Sequence, residues 1–194
     1  NVIILANGSP TEPLSPTALP KLKEWVENGG TLITTGSAYK LTNKAKITDF
    51  KTLSQGKKKE KVEGNAHIEY QPYHDTSKAK SGIEGVIFNC HLDITSPLGY
   101  GYENPNVAIM KNGTTVMDFS QIKGSSPMQY TKQPYLSGCV SLENIKRISN
   151  APASIVSGCG KGNVIWFADD LNYRSYWFGG TKIFMNAIYF GQLY

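Results

Sequence analysis

Two short runs of apolar and β-branched residues, "VIILA" (2–6) and "TLITT" (31–35), bracket a segment with a different rhythm. Unbroken runs of this kind predict strands covered on both faces, because a strand with one wet face alternates polar and apolar positions. Between them, "LPKLKEWVENGG" predicts a helix. Leu19, Leu22, Trp25 and Val26 fall on one face, and Lys21, Lys23, Glu24 and Glu27 on the other. Pro20 suits the first turn, where a missing N–H forfeits no intrahelical bond, and Gly29 or Gly30 supplies a left-handed cap. "NGSPTEPLSP" reads as loop. Strand, helix and strand in this order make a βαβ unit, which predicts a parallel sheet with a right-handed crossover.

Past "GSAYKL" the pattern is interrupted by a basic insertion at about residues 42–66, expected to be a solvated, mobile loop. "GVIFNCHLD" (85–93) then alternates as a strand, with Val86, Phe88, Cys90 and Leu92 on one face and Ile87, Asn89 and His91 on the other. "NVAIMKNGTTVMDF" predicts two strands joined in a hairpin at Asn112-Gly113. "LENIKRISN" (142–150) reads as a short helix, "ASIVS" and "NVIWFA" as strands, and "SYWFGGTKIFMNAIYFG" as a closing apolar helix. The whole, residues 1–194, reads as one α/β domain without internal repeats. No apolar run is long enough to predict a membrane span. A buried-type strand at the very start predicts a piece of a longer protein.

The net charge of +5 invites a nucleic-acid reading until it is located. Residues 40–61 hold eight lysines against Asp49 and Glu60, a local +6, so the remaining residues sum to −1. Arg supplies only two of the twenty cations, although its fork suits bidentate phosphate contacts, and the basic stretch has almost no aromatic residues on which bases could stack. No nucleic-acid partner is expected. The three cysteines, Cys90, Cys139 and Cys159, are odd in number and widely spaced, which is neither a disulfide framework nor a metal-binding pair.

Cys159 sits in "SGCGKGN", between two glycines, as a reactive thiol would. A nucleophile elbow, however, runs strand, sharp turn, helix, and here a second strand follows. The motif therefore predicts a glycine-rich hairpin turn in which the thiol is incidental. The elbow position falls instead after "TLITT", where "TGSAY" offers Ser37 and no Cys. Ser37 with His91 and Asp93 is a triad by inventory. Zinc would accept Cys90, His91 and Asp93, but on a strand Cys90 points away from the other two, and His67 or His74 would have to complete the set. No metal site is expected in this chain. In "ADDLNYRSYW", Asp169 and Asp170 stand at the carboxyl end of a strand, the edge where open α/β sheets place ligands. Arg174 could pair with one carboxylate under Tyr173, Tyr176 and Trp177, and Asn172 or Ser175 could cap the last helix. This cluster, Asp169, Asp170, Asn172, Arg174 and Trp177, is a candidate for small-ligand or glycan binding, or for docking another domain.

With these residues in place, the chain resembles the class I glutamine amidotransferase-like fold. More narrowly, it resembles the domain that follows the catalytic domain in bacterial zinc carboxypeptidases of the carboxypeptidase A type. The resemblance rests on "LKEWVENGGTLITTGSA" (22–38), "GVIFNCHLDITSPLGYGY" (85–102), the run 134–180 that includes "GKGNVIWFADDLNYRSYW", and "TKIFMNAIYFG" (181–191). It implies a flavodoxin-like three-layer sandwich whose mainly parallel sheet carries added antiparallel hairpins, with one or two further strands before "VIILA". Active members carry a Cys after the strand matching 31–35; its absence here resembles the degenerate members. The peptidase's His-x-x-Glu motif begins at none of His67, His74 or His91. The resemblance thus implies a non-catalytic accessory domain in a periplasmic or secreted parent. Its partner would be the peptidase domain of the same chain, with zinc held there only. The alternatives are an active hydrolase using Ser37 with His91, or a ligand-binding module.

Overall fold

The computed structural model describes residues 2–8, 15, 17–53, 82–118, 124–175 and 177–194. Strand β1 (Val2–Leu5), helix α1 (Ala18–Glu27) and strand β2 (Thr31–Thr35) form the expected unit, with β1 and β2 parallel and Ile3 opposite Leu32. Gly29, at φ +110°, is the left-handed cap, and Gly30 has no room for a side chain because a Cβ would lie 2.6 Å from the Trp25 ring. Strand β7 (Gly162–Phe167) runs parallel to β2 on its other side, and β6 (Ser154–Cys159) returns antiparallel to β7, giving the order β1-β2-β7-β6. The turn between β6 and β7 is the glycine-rich hairpin expected of "SGCGKGN": Gly160 takes φ +62°, and a Cβ there would meet the Glu27 backbone at 2.7 Å.

Successive strand residues point to opposite faces, and the two faces acquire different covers. Leu32 and Val164 pack with Leu19, Leu22 and Val26 of α1 and Leu41 and Ala45 of helix α2 (Tyr39–Lys44) and its end. Ile33 and Ile165 pack in the other core with Ile183 and Ala187 of the last helix, α4 (Thr181–Phe190). That second core also takes the inner face of a three-stranded antiparallel sheet. In it β3 (Val86–Leu92) lies between β4 (Asn106–Lys111) and β5 (Met128–Ser137). Helix α3 (Leu142–Ile148) starts from Ser141, whose hydroxyl accepts the Asn144 N–H at 3.3 Å. The architecture is α/β, with a mostly parallel sheet and a separate antiparallel one. Among the described residues no helix is long and apolar enough to cross a membrane.

Three expectations need correction. β1 is not covered on both faces: it is the outermost strand of its sheet, and Ile3 and Ile4 are exposed. Asn112-Gly113 does not close a hairpin. β4 already pairs with β3, and beyond Gly113, whose N–H donates to the Ile83 carbonyl, Met117 makes an isolated bridge to Thr52. The third strand of that sheet is β5, where the sequence suggested none, since Pro134 and the Lys132-Gln133 pair hide its alternation. Finally, the start of the basic insertion, as far as Phe50, is packed. Leu41, Ala45, Ile47 and Phe50 are buried, Lys44, Lys46 and Lys51 face water, and the Asn43 amide clasps Phe50 by accepting its N–H at 3.0 Å and donating to its carbonyl at 2.7 Å. Beyond Leu53 that segment, with His67 and His74, lies outside the described residues.

Candidate functional site

The parallel strands β1, β2 and β7 end on one side of the sheet, and each delivers polar residues there: Asn7, Ser37, and Asp169-Asp170. After β2 the chain turns sharply through a 3₁₀ turn (Gly36–Ala38) into α2, the shape of an elbow. The left-handed residue of that turn is Gly36, at φ +51°, where a Cβ would come within 2.5 Å of the Asn7 side chain. The place where an elbow presents its nucleophile therefore has no side chain. Ser37, one residue later, donates its N–H at 3.0 Å and its hydroxyl at 2.9 Å to the same Asn7 Oδ1. A carboxamide oxygen holds a hydroxyl but has no basicity with which to take its proton.

His91 and Asp93 lie at the end of β3, in the other sheet. His91 is exposed and stands between Asn106 of β4 and Gln129 of β5. Asp93 closes a local turn by accepting the Thr95 N–H at 2.9 Å and its hydroxyl at 2.6 Å. Those two bonds from Thr95, the hydroxyl's first, hold its carboxyl below the usual range. The structure thus brings His91 and Asp93 together, while Ser37 is bonded to Asn7. Cys90 points inward from β3, as its strand position predicts, away from His91. Among the described residues no three of His, Cys, Asp and Glu gather in a metal-binding group.

The "ADDLNYRSYW" segment is organised differently from the sequence reading. Asp169 is buried, and its partner is Lys111 at the end of β4 rather than Arg174. Lys111 Nζ lies 2.9 Å from Asp169 Oδ1. The Tyr130 hydroxyl, from β5, donates to the other carboxylate oxygen. Lys111 Nζ also reaches the Tyr130 oxygen at 3.4 Å, and Phe88 packs edge-on against the Tyr130 ring at 5.8 Å. This triad ties β4 and β5 of one sheet to the residue that leaves β7 of the other. Burial, and after it the Asp169 charge, push both the Tyr130 phenol and the nearby Cys90 thiol up, so neither group is an acid near neutrality. Asp170 faces water and accepts the Asn172 N–H at 3.2 Å. Arg174, at φ +49°, lays its guanidinium 5.2 Å from the centre of the Tyr173 ring. Gly180, not Asn172 or Ser175, precedes α4, though Asn172 Oδ1 accepts the Thr181 hydroxyl at 3.3 Å. Tyr176 is outside the described residues.

Trp177 does reach a cavity. Its indole N–H donates to the Ala108 carbonyl at 3.2 Å, which holds the turn at 177–179 against β4. Between them opens a cleft of about 510 Å³, walled mainly by Tyr102, Asn104, Asn106, Ala108, Trp177 and Phe178. Its surface is largely apolar, and its size is that of a small-ligand site. Lys111, Tyr130, Asn7 and Phe178 were not among the sequence candidates. The Lys111–Asp169 contact spans 58 positions, and a lysine ending the run "NVAIMK" ordinarily marks a strand's exit to water.

No family model matches the chain, and neither does any curated protein sequence. Among solved structures it is similar to a cytoplasmic protein from Salmonella typhimurium, with 15% identity and a TM-score of 0.52 over 97% of this chain and 70% of that one. A β-galactosidase from Bacillus circulans sp. alkalophilus overlays at a TM-score of 0.45 with 12% identity, over 87% of this chain and 20% of the enzyme. A GH42 β-galactosidase from G. stearothermophilus does so at 0.38 with 16% identity, over 86% of this chain and 18% of the enzyme. The chain spans about a fifth of the length of these β-galactosidases. The Salmonella protein shares its α/β fold, and what is shared with it is the fold alone.

Proposed function

We propose that this chain is a non-catalytic accessory domain of a bacterial zinc carboxypeptidase. In this reading it has a flavodoxin-like, class I glutamine amidotransferase-like sandwich and supports the peptidase domain or positions its substrate. The observation that carries the reading is Gly36. The left-handed residue after β2 has no side chain, and the neighbouring Ser37 hydroxyl is committed to Asn7 Oδ1. Catalysis at an elbow requires a nucleophile and a base in hydrogen-bond contact, with amides aimed at the oxyanion. The polar residues at this end of the sheet serve packing instead: Trp166 donates to the Gly36 carbonyl at 2.9 Å, and Asp169 is enclosed by Lys111 and Tyr130.

The peptidase parent rests on the resemblance of "GKGNVIWFADDLNYRSYW" and its flanks. Zinc then belongs to the peptidase domain, and the parent is periplasmic or secreted. Among the described residues β1 has no neighbour on its outer edge, where a further strand of such a sheet would pair. The reading frame upstream of Asn1 tests the parentage: an in-frame domain with a His-x-x-Glu motif is expected, and a different catalytic domain contradicts it. Hydrolysis of esters, amides or glutamine by this chain, lost in Ser37→Ala, contradicts the non-catalytic assignment. Stoichiometric zinc in the purified chain contradicts the placement of the metal.

A further inference from the structure

The inner face of α4 is filled by Ile183, Asn186 and Ala187, and the rest of the helix carries one charged residue, Lys182, where a water-facing helix ordinarily carries several. Met185 and Tyr189 stand one turn apart there, Leu193 follows in the 3₁₀ turn Gly191–Leu193, and Phe178 lies in the 3₁₀ turn Phe178–Gly180 that leads into the helix. Phe178 is 79% exposed, Tyr189 63% and Leu193 57%. Tyr100 and Phe190, edge to face at 5.5 Å, widen the patch. The one charged residue in the stripe, Lys182, is tied within its own chain: its ammonium donates to the Gly101 carbonyl and lies 5.0 Å over the Tyr102 ring.

We propose that this face is a self-association surface, on which two copies of the chain pack about a two-fold axis, each setting Phe178 into the other's Trp177–Tyr102 cleft. The area supports a second copy. At about 200 Å² per large side chain, the exposed fractions of these six residues leave roughly 600 Å² of apolar surface. Single patches on monomers reach about 300–600 Å², and a standard interface buries about 800 Å² per partner, somewhat over half of it apolar. Shape supports it as well. A two-fold interface must be self-complementary, and here the exposed Phe178 ring stands on the rim of an apolar cleft that Trp177 and Tyr102 help to wall. A small molecule in the cleft would leave Tyr189 and Leu193 in water.

Sedimentation equilibrium of the chain from micromolar to sub-millimolar concentration tests this, with circular dichroism and melting as checks on folding. The wild type is expected to be a dimer. Phe178→Ser and Tyr189→Glu, both at exposed positions, are expected to weaken it at least tenfold with unchanged spectra, while Tyr135→Ser, exposed elsewhere, leaves it unchanged. A wild type that stays monomeric throughout overturns the proposal and leaves the face to the peptidase domain or a small ligand. So does a dimer indifferent to both substitutions, or assembly beyond two copies. None of these outcomes bears on whether Ser37 is catalytic, so the two readings fail separately.

Discussion

Replacing Lys111 by Met removes one charge from the interior while keeping most of the side chain's volume. The deleted ammonium sits 2.9 Å from Asp169 Oδ1. At an effective dielectric constant of about 20, that separation corresponds to an attraction of about 6 kcal/mol. Desolvation of both ions offsets much of it in the wild type, so the pair gains little over an apolar substitute. The single substitution differs, because among the described residues it leaves the buried Asp169 carboxylate with only the Tyr130 hydroxyl. An uncompensated buried ion costs about 3–5 kcal/mol, a large share of a typical domain stability of roughly 5–15 kcal/mol. Urea unfolding at neutral pH, followed by tryptophan fluorescence, reads the loss through the midpoint at constant slope. The combined Lys111→Met, Asp169→Leu and Tyr130→Phe protein, in which no polar group is orphaned, is expected to regain most of the stability. A double-mutant cycle between positions 111 and 169 is expected to show coupling of at least about 2 kcal/mol. A Lys111→Met protein within about 0.5 kcal/mol of wild type refutes the reasoning, since that is the scatter of an uninvolved surface site.

Gly36→Ala forces a side chain into left-handed backbone and against Asn7, so a loss of about 1–2 kcal/mol is expected in thermal unfolding; an unchanged melting curve contradicts the strained turn. The cysteines should separate by reactivity toward an aromatic disulfide at neutral pH. The exposed Cys139 reacts quickly, Cys159 slowly because burial and then Glu27 raise its thiol, and Cys90 only on unfolding. Rapid labelling of Cys90 in the folded protein contradicts its burial. For Asp93, carboxyl-carbon NMR is expected to show titration below the ordinary range, moving up in Thr95→Val. A depressed acid favours the folded state above its unfolded value, and that contribution fades as pH falls through the folded value. An Asp93 titration unmoved by the Thr95 change rules out the bond as its cause.

The parts of the fold legible in the sequence are those specified over a few neighbouring residues. Helix α1 declares itself by spacing and by its Gly29 cap, and the β6–β7 hairpin by a glycine cluster between two apolar runs. β3 shows its inner and outer faces by alternation. What the sequence hides is pairing at a distance. "VIIL" has the composition of a central strand, and only the sheet order makes it an edge. Asn112-Gly113 has the composition of a hairpin, yet β4 is satisfied by β3. Lysines drew attention to residues 40–61 as a solvated run, whereas the apolar residues between them build the cover over β2. The same holds for the site. Asp169 was recognisable as a carboxylate at a strand end, but Lys111 and Tyr130 come from two other strands. A buried lysine paired with a distant acid leaves no local trace.

The central claim is that the turn after β2 carries no working nucleophile, and covalent labelling addresses it most directly. Intact-mass analysis after exposure to a fluorophosphonate, which reacts with activated serine hydroxyls, is expected to show an unmodified chain. A stoichiometric adduct mapped to Ser37 and absent from Ser37→Ala contradicts it.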